Sequence, residues 1–162
     1  MYTLFLKKNE EKRILRGEPW VFANEVLKIE GEGKQGDVCR VCAVDGRFVA
    51  LGYINHLSKI IVRVLSYKEE PIDEAFFERR IRAALNYRLA LGYDCAYRVV
   101  FGESDLLPAL IVDKYGDYLS CQFLSLGMEK RKQMIVDILV KIFSPKGIYE
   151  RSDVAVRKKE GL

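Results

Sequence analysis

Four short stretches carry residue types at spacings that chemistry uses. Gly31-Glu-Gly33-Lys-Gln-Gly36 has the G-x-G-x-x-G spacing of a dinucleotide-binding turn. That mechanism needs a helix N-terminus directly after the turn, to hold a pyrophosphate. The next residues, Asp37-Val-Cys-Arg-Val-Cys-Ala-Val44, are β-rich with no helical period, so a β-connection is expected instead. Cys39-Arg-Val-Cys42 has C-x-x-C spacing. Residues three apart on a strand point to opposite faces. No second cysteine pair or histidine cluster completes a tetrahedral zinc site, and a redox pair would want a helix N-terminus to lower a thiol pKa. Cys95 and Cys121 are isolated and read as core or edge residues. Gly102-Glu-Ser-Asp105 is a carboxylate-rich loop ending near Pro108. It could hold a ligand, or be a surface turn whose Asp and Ser bond to nearby backbone N–H groups. His56, the only histidine, lies in the loop Asn55-His-Leu-Ser58 and reads as polar surface. No complete catalytic, cofactor-binding or metal-binding constellation is expected within these residues.

The elements that must position these groups emerge from periodicity. Leu4 to Leu6 reads as a short strand, and 7–17 as a short helix stopped by Gly17. Pro19 to Phe22 and Val26 to Ile29 read as extended, with Trp20 and Phe22 on one side. Asp45-Gly46 marks a hairpin leading into strands over Arg47 to Ile54 and Lys59 to Leu65. Alternation puts Ile60, Val62 and Val64 on one face of the latter and Lys59, Ile61, Arg63 and Leu65 on the other. Several short strands with one short helix predict a small β-barrel or twisted sheet over residues 1–70. Lys68 to Pro71 reads as a linker. A helix capped by Asp73 comes next, with a stripe of Phe77, Ile81, Leu85 and Leu89 and a stop at Gly92. Arg79, Arg80, Arg82 and Arg88 crowd its other faces, as solvated surface or as phosphate contacts. Leu110 to Val112 and Tyr118 to Phe123, joined across Asp113-Lys-Tyr-Gly116-Asp117, predict a hairpin. A second helix is expected from Met128 to Phe143 and a strand from Ile148 to Val156, with a tail, 157–162, that has no stop of its own. The fold class expected is mixed α/β of the α+β kind, with domains at 1–70 and 73–162.

Composition narrows the class further. Hydrophobic content of 49% supports a core, and roughly 70% of the unfolded surface can be buried at this size. No apolar run approaches the roughly 20 residues needed to span a bilayer, so no membrane is expected. The N-terminus has its charges after the apolar residues, unlike a signal peptide. A cytoplasmic chain with free thiols is expected. The net charge of +4 is spread evenly, so a nucleic-acid surface must come from local clustering rather than bulk charge.

Residues 11–162 resemble the N-terminal part of the bacterial large-subunit ribosomal RNA cytosine-5 methyltransferases. The most specific stretches are Arg98 to Gln122 and Ile148-Tyr-Glu-Arg-Ser-Asp-Val-Ala-Val-Arg-Lys-Lys-Glu-Gly-Leu162; Glu18-Pro-Trp-Val-Phe22 and Gly52-Tyr-Ile-Asn-His-Leu-Ser-Lys-Ile60 match the family's first domain. The family usually has Gly where Leu106 and Ala109 stand. The resemblance implies a PUA RNA-binding domain at about 1–70 and a central α+β domain of two strands, helix, two strands. It also implies a third, S-adenosylmethionine-binding catalytic domain beyond Leu162, so the chain is expected to be an inactive RNA-handling part of a methyltransferase. Flipping a target base into a pocket leaves register to a separate phosphate-gripping domain. The surface so implied comprises Lys12, Arg13, Arg16, Asn55, His56, Ser58, Lys59 and Arg63, with ribosomal RNA as partner. Arg98, Lys114, Arg151 and Arg157 are weaker candidates, for RNA or for holding the catalytic domain, and a homodimer is a further option. Two other readings stay open: a stand-alone RNA-binding or ribosome-assembly protein, and a protein–protein adaptor using the edge of the central hairpin.

Overall fold

The alternating first seventy residues form a six-stranded sheet, in a computed structural model that describes residues 1–162. Its strands are β1 (Tyr2–Leu6), β2 (Trp20–Phe22), β3 (Val26–Glu30), β4 (Val38–Cys42), β5 (Phe48–Ile54) and β6 (Ile60–Ser66), in the order β2-β6-β5-β4-β1-β3. β1 runs parallel to β4 and antiparallel to β3. A short helix, α1 (Glu11–Leu15), contributes Ile14 to a core with Leu4, Leu6, Val21, Val41, Ile54 and Val62, all fully buried. Each such side chain contributes roughly 1.5–3 kcal/mol. β5 and β6 are buried along almost their whole length, because both of their faces are covered. Gly52 is required where β5 crosses close to β6: a Cβ there would lie 2.4 Å from the Arg63 carbonyl oxygen.

The chain divides into two compact units, residues 1–70 with 159–161, and residues 71–158 with 162. The second begins at α2 (Glu74–Ala90), capped by Asp73, whose Oδ1 accepts from the Phe76 N–H at 2.9 Å. Then come β7 (Ala96–Phe101), β8 (Leu110–Tyr115), β9 (Tyr118–Phe123), α3 (Leu126–Glu129), α4 (Lys132–Phe143) and β10 (Gly147–Glu150). The resemblance implies two strands, a helix and two strands; four strands are present, but their order differs, with α2 leading, three strands before the helical segment and one after it, because the hairpin β8–β9 continues the sheet from β7 before the chain crosses over. Strand order is β10-β9-β8-β7. β10 is parallel to β9, a pairing that needs a crossover, and α4 provides it. α2 packs on α4 and β7. The mixed α/β class holds.

Three expectations change. The apolar stripe of α2 runs along Phe77, Ile81 and Ala84, and Leu89 is half exposed. A strict four-residue repeat drifts off a face whose period is 3.6, and the stripe's next position is Arg88. The Met128–Phe143 helix is two helices, because Arg131 (φ −105°, ψ 5°) leaves helical backbone and starts α4. The last strand ends at Glu150. The Phe123 N–H is taken by the Ser152 hydroxyl at 3.0 Å, which closes the ladder, and Ala155–Glu160 turns as a 3₁₀-helix. No helix is long and apolar enough to cross a membrane.

Candidate nucleic-acid interface

In the first unit, α1 and the turn after it carry the basic residues. Lys12 and Arg16 are exposed and make no ion pair, and with Asn9, Arg13, Gly17, Glu18 and Pro19 they line an open concavity of about 570 Å³. Arg13 is half-buried and paired. Its guanidinium binds Glu25 at 2.6 and 2.8 Å, the Trp20 carbonyl at 2.9 Å and Glu18 at 3.2 Å, and lies over the Phe22 ring. Glu25 also accepts from the Phe22 N–H at 2.8 Å. Arg13 thus fixes the turn from which Lys12 and Arg16 project.

The loop between β5 and β6 splits the remaining candidates. Lys59 is exposed, with no partner for its ammonium. His56 is exposed but tied: its N–H donates to Gln35 Oε1, its Nδ1 lies 2.8 Å from Gln35 Nε2, and its ring packs edge-on to Tyr2. Asn55, Ser58 and Arg63 turn inward and are buried at 2%, 8% and 8% exposure. They converge on Glu160. Asn55 Nδ2 donates to Glu160 Oε2, and Ser58 Oγ and Arg63 Nη2 donate to Oε1, all at 3.0 Å. Asn55 Nδ2 also reaches the Glu160 carbonyl at 3.0 Å. Burial alone would raise the Glu160 pKa. The Asn55 hydrogen bond, the Arg63 charge and the Ser58 hydroxyl outweigh it and hold the carboxyl below its ordinary value. Sequence reasoning missed Glu160 because alternation assigned Arg63 to an open face, whereas β6 is covered on both sides.

In the second unit the weaker candidates have partners of their own, Arg151 excepted, which is exposed and unpaired. Arg98 binds Asp113 bidentately at 2.7 and 3.1 Å beneath Phe101. Lys114 donates to the Gly116 carbonyl at 2.7 Å. Arg157 donates to the Phe123 carbonyl and to Glu129, the latter at 2.8 Å. Arg79 and Arg82 flank a second concavity of about 470 Å³ on α2, but Glu78 there neutralises both Arg82 and Lys141. The Gly102 loop is held shut by one carboxylate. Asp105 accepts from Arg88 at 2.5 and 2.7 Å and from the Phe101 N–H at 2.6 Å. Of the two readings of that loop, its Asp is spent on backbone and on Arg88.

The chemical motifs are equally explained by structure. Gly31–Gly36 leads into β4 and packs closely on the N-terminus: a Cβ on Gly31 would lie 2.6 Å from the Met1 carbonyl oxygen, and one on Gly33 would lie 3.0 Å from the Tyr2 ring. The turn thus opens a strand, and the helix N-terminus that a pyrophosphate needs does not follow it. Cys39 and Cys42 are buried on β4 and unpaired. Burial pushes the Cys39 thiol up to about 12, against a hydrogen bond from Gly52. Burial, with Asp113 and Glu150, does the same for Cys121. Neither is a nucleophile at neutral pH.

Residues 4–67, which hold the six-stranded sheet from Leu4 on, match the PUA-like domain family. Over nearly its whole length the chain is homologous to ribosomal RNA large subunit methyltransferase I. It is 43% identical over 163 residues to that protein from Vibrio cholerae, covering 99% of this chain and 41% of the relative. The Tolumonas auensis protein is 41% identical over 167 residues, with the same coverage. The chain thus spans about 41% of the length of these curated relatives. Among solved structures, a candidate SAM-dependent methyltransferase from Streptococcus mutans shares the fold, with a TM-score of 0.79 at 17% identity, covering 93% of this chain and 40% of that one. A structure of a candidate methyltransferase complexed with SAH gives 0.80 with the same coverage.

Proposed function

We propose that this chain is the RNA-binding and substrate-positioning part of an S-adenosylmethionine-dependent ribosomal RNA cytosine-5 methyltransferase acting in the cytoplasm. The observation that carries the reading is the pair of exposed, unpaired cations, Lys12 and Arg16, on the rim of a concavity within the PUA-like domain. Homology to a ribosomal RNA methyltransferase supplies the substrate class. Lys59 adds a third cation, and His56 a polar ring held in place by Gln35. Arg13 supports this surface from below. In this reading Asn55, Ser58 and Arg63 shape it without touching RNA. Methyl transfer belongs to a cofactor-binding domain that the longer relatives have room for, since the one glycine-rich turn here leads into a strand and not into a helix. The division has a physical logic: phosphate contacts fix register and carry no sequence information, while the chemistry acts on a base taken out of its stack.

The test is a salt titration of binding to a structured large-subunit ribosomal RNA fragment. Three phosphate contacts give a log–log slope of about −2 to −3. Replacing Lys12, Arg16 and Lys59 together by Ala is expected to flatten that slope toward zero and leave the melting temperature unchanged. An unchanged slope would remove the assignment.

A further inference from the structure

Glu160 lies about a hundred residues from the loop it touches, yet residues 159–161 belong to the first unit. The side chains that receive it are relays. Asn55 holds Glu160 with Nδ2 and, with Oδ1, accepts the Leu57 N–H at 3.0 Å. Ser58 donates to Glu160 and accepts the Ile60 N–H at 3.3 Å through the same oxygen. Each joins the Glu160 carboxylate at one end to the loop backbone at the other. Arg63 supplies the opposing charge from β6, with a side chain only 10% exposed. The next residue touches the loop as well: Gly161 has φ +79°, and a Cβ there would stand 2.7 Å from Leu57 Cδ1. Between the two relays lie His56 and Leu57, and directly after them Lys59.

We propose that Glu160 is the positioning residue of the loop 55–59: its carboxylate sets the backbone that presents His56 and Lys59, so RNA contact by the PUA-like domain depends on the docking of residues 159–161. This rests on the reading that Lys59 faces RNA. Removing the carboxylate takes from Ser58 its acceptor and from Arg63 its opposing charge, leaves Asn55 only the Glu160 carbonyl, and the loop relaxes.

The experiment uses the whole chain as wild type, Glu160→Ala and Gly161→Ala, with two readouts. The first is amide exchange at Leu57 and Ile60. In Glu160→Ala both amides are expected to exchange about tenfold faster, the size of one lost hydrogen bond, while Val62 and Val64 in β6 keep their protection. Gly161→Ala, which leaves every Glu160 partner in place but crowds Leu57, is expected to act in the same direction. The second is the salt slope of binding to the same ribosomal RNA fragment, which is expected to lose about one unit, as if the Lys59 phosphate contact were gone. If both variants leave Leu57 and Ile60 protected, Glu160 does not position the loop and the proposal fails. If the amides loosen and the slope stays, the coupling to RNA fails. If the wild type itself shows no salt-dependent RNA binding, the proposed function is what fails, and the amide arm still decides whether Glu160 sets the loop.

Discussion

Single residues show how far the sequence can be read. The type and spacing of Lys12, Arg16 and Lys59 point to the surface, and the structure leaves all three exposed. Arg13 and Arg63, of the same type, are absorbed by Glu25 and Glu160. Nothing local distinguishes the two groups. A cation's fate here depends on a carboxylate 12 or 97 residues away. The Glu160 cluster carries a pH dependence whose sign is fixed. Its folded pKa lies below the ordinary carboxylate value, about 4.3 for Glu, so its contribution to stability is complete above that value and is lost as pH falls through the folded one. Glu129, which holds Arg157, is shifted the same way: burial raises it, but Lys132 and Arg157 prevail. Amide signals of residues 155–161 are therefore expected to stay sharp down to about pH 4 and to broaden below it. Loosening that begins above about pH 5 would contradict that sign.

Elements are legible where a local rule settles them. The Asp73 cap, the Asp45-Gly46 turn and the β-rich run after Gly36 depend on a few adjacent residues, and each is present; the hairpin after Leu110 is present too, with its connection shortened from Asp113–Asp117 to Gly116-Asp117 because β8 runs on to Tyr115. The stripe of α2 departs from its expected course at the C-terminal end because Arg88 occupies the stripe's next position, half-buried, where Asp105 pairs with its charge and the Arg98 and Ala84 carbonyls accept its remaining N–H groups. Leu106 and Ala109 make a different point. Both adopt left-handed backbone, at φ 58° and 65°, where the family resemblance has Gly. A non-glycine residue there costs roughly 1–2 kcal/mol, part of which is returned by a stiffer unfolded chain. Leu106 is 44% exposed, so its side chain contributes little packing. Leu106→Gly is expected to stabilise the protein by about 0.5–1 kcal/mol, read as a higher denaturation midpoint. A lower midpoint would mean that the side chain holds the Gly102 loop.

At the scale of the whole chain, the switch from β-alternation to a capped helix marks where the first unit gives way to the second. The return of residues 159–161 to the first unit leaves no signal in composition or periodicity, since a polar tail looks the same whether docked or not. The connectivity has a measurable consequence. Limited proteolysis is expected to cut near Lys68 to Pro71, where Lys68, Glu69 and Pro71 are exposed. The two pieces are then expected to elute together at neutral pH, because 71–158 continues into the docked Glu160, and to separate in Glu160→Ala. Cuts inside 38–65 with 66–72 resistant would contradict the division. In the proposed function, RNA is gripped by the rim of the PUA-like domain. A single binding experiment decides this, with two triple substitutions side by side against the same structured ribosomal RNA fragment over the same salt series: Lys12, Arg16 and Lys59 to Ala, and Arg79, Arg80 and Arg82 to Ala. The first is expected to remove most of the affinity and about two to three units of salt slope, and the second to change either one little. A greater loss from the α2 triple would move the RNA site to the second unit and contradict the account.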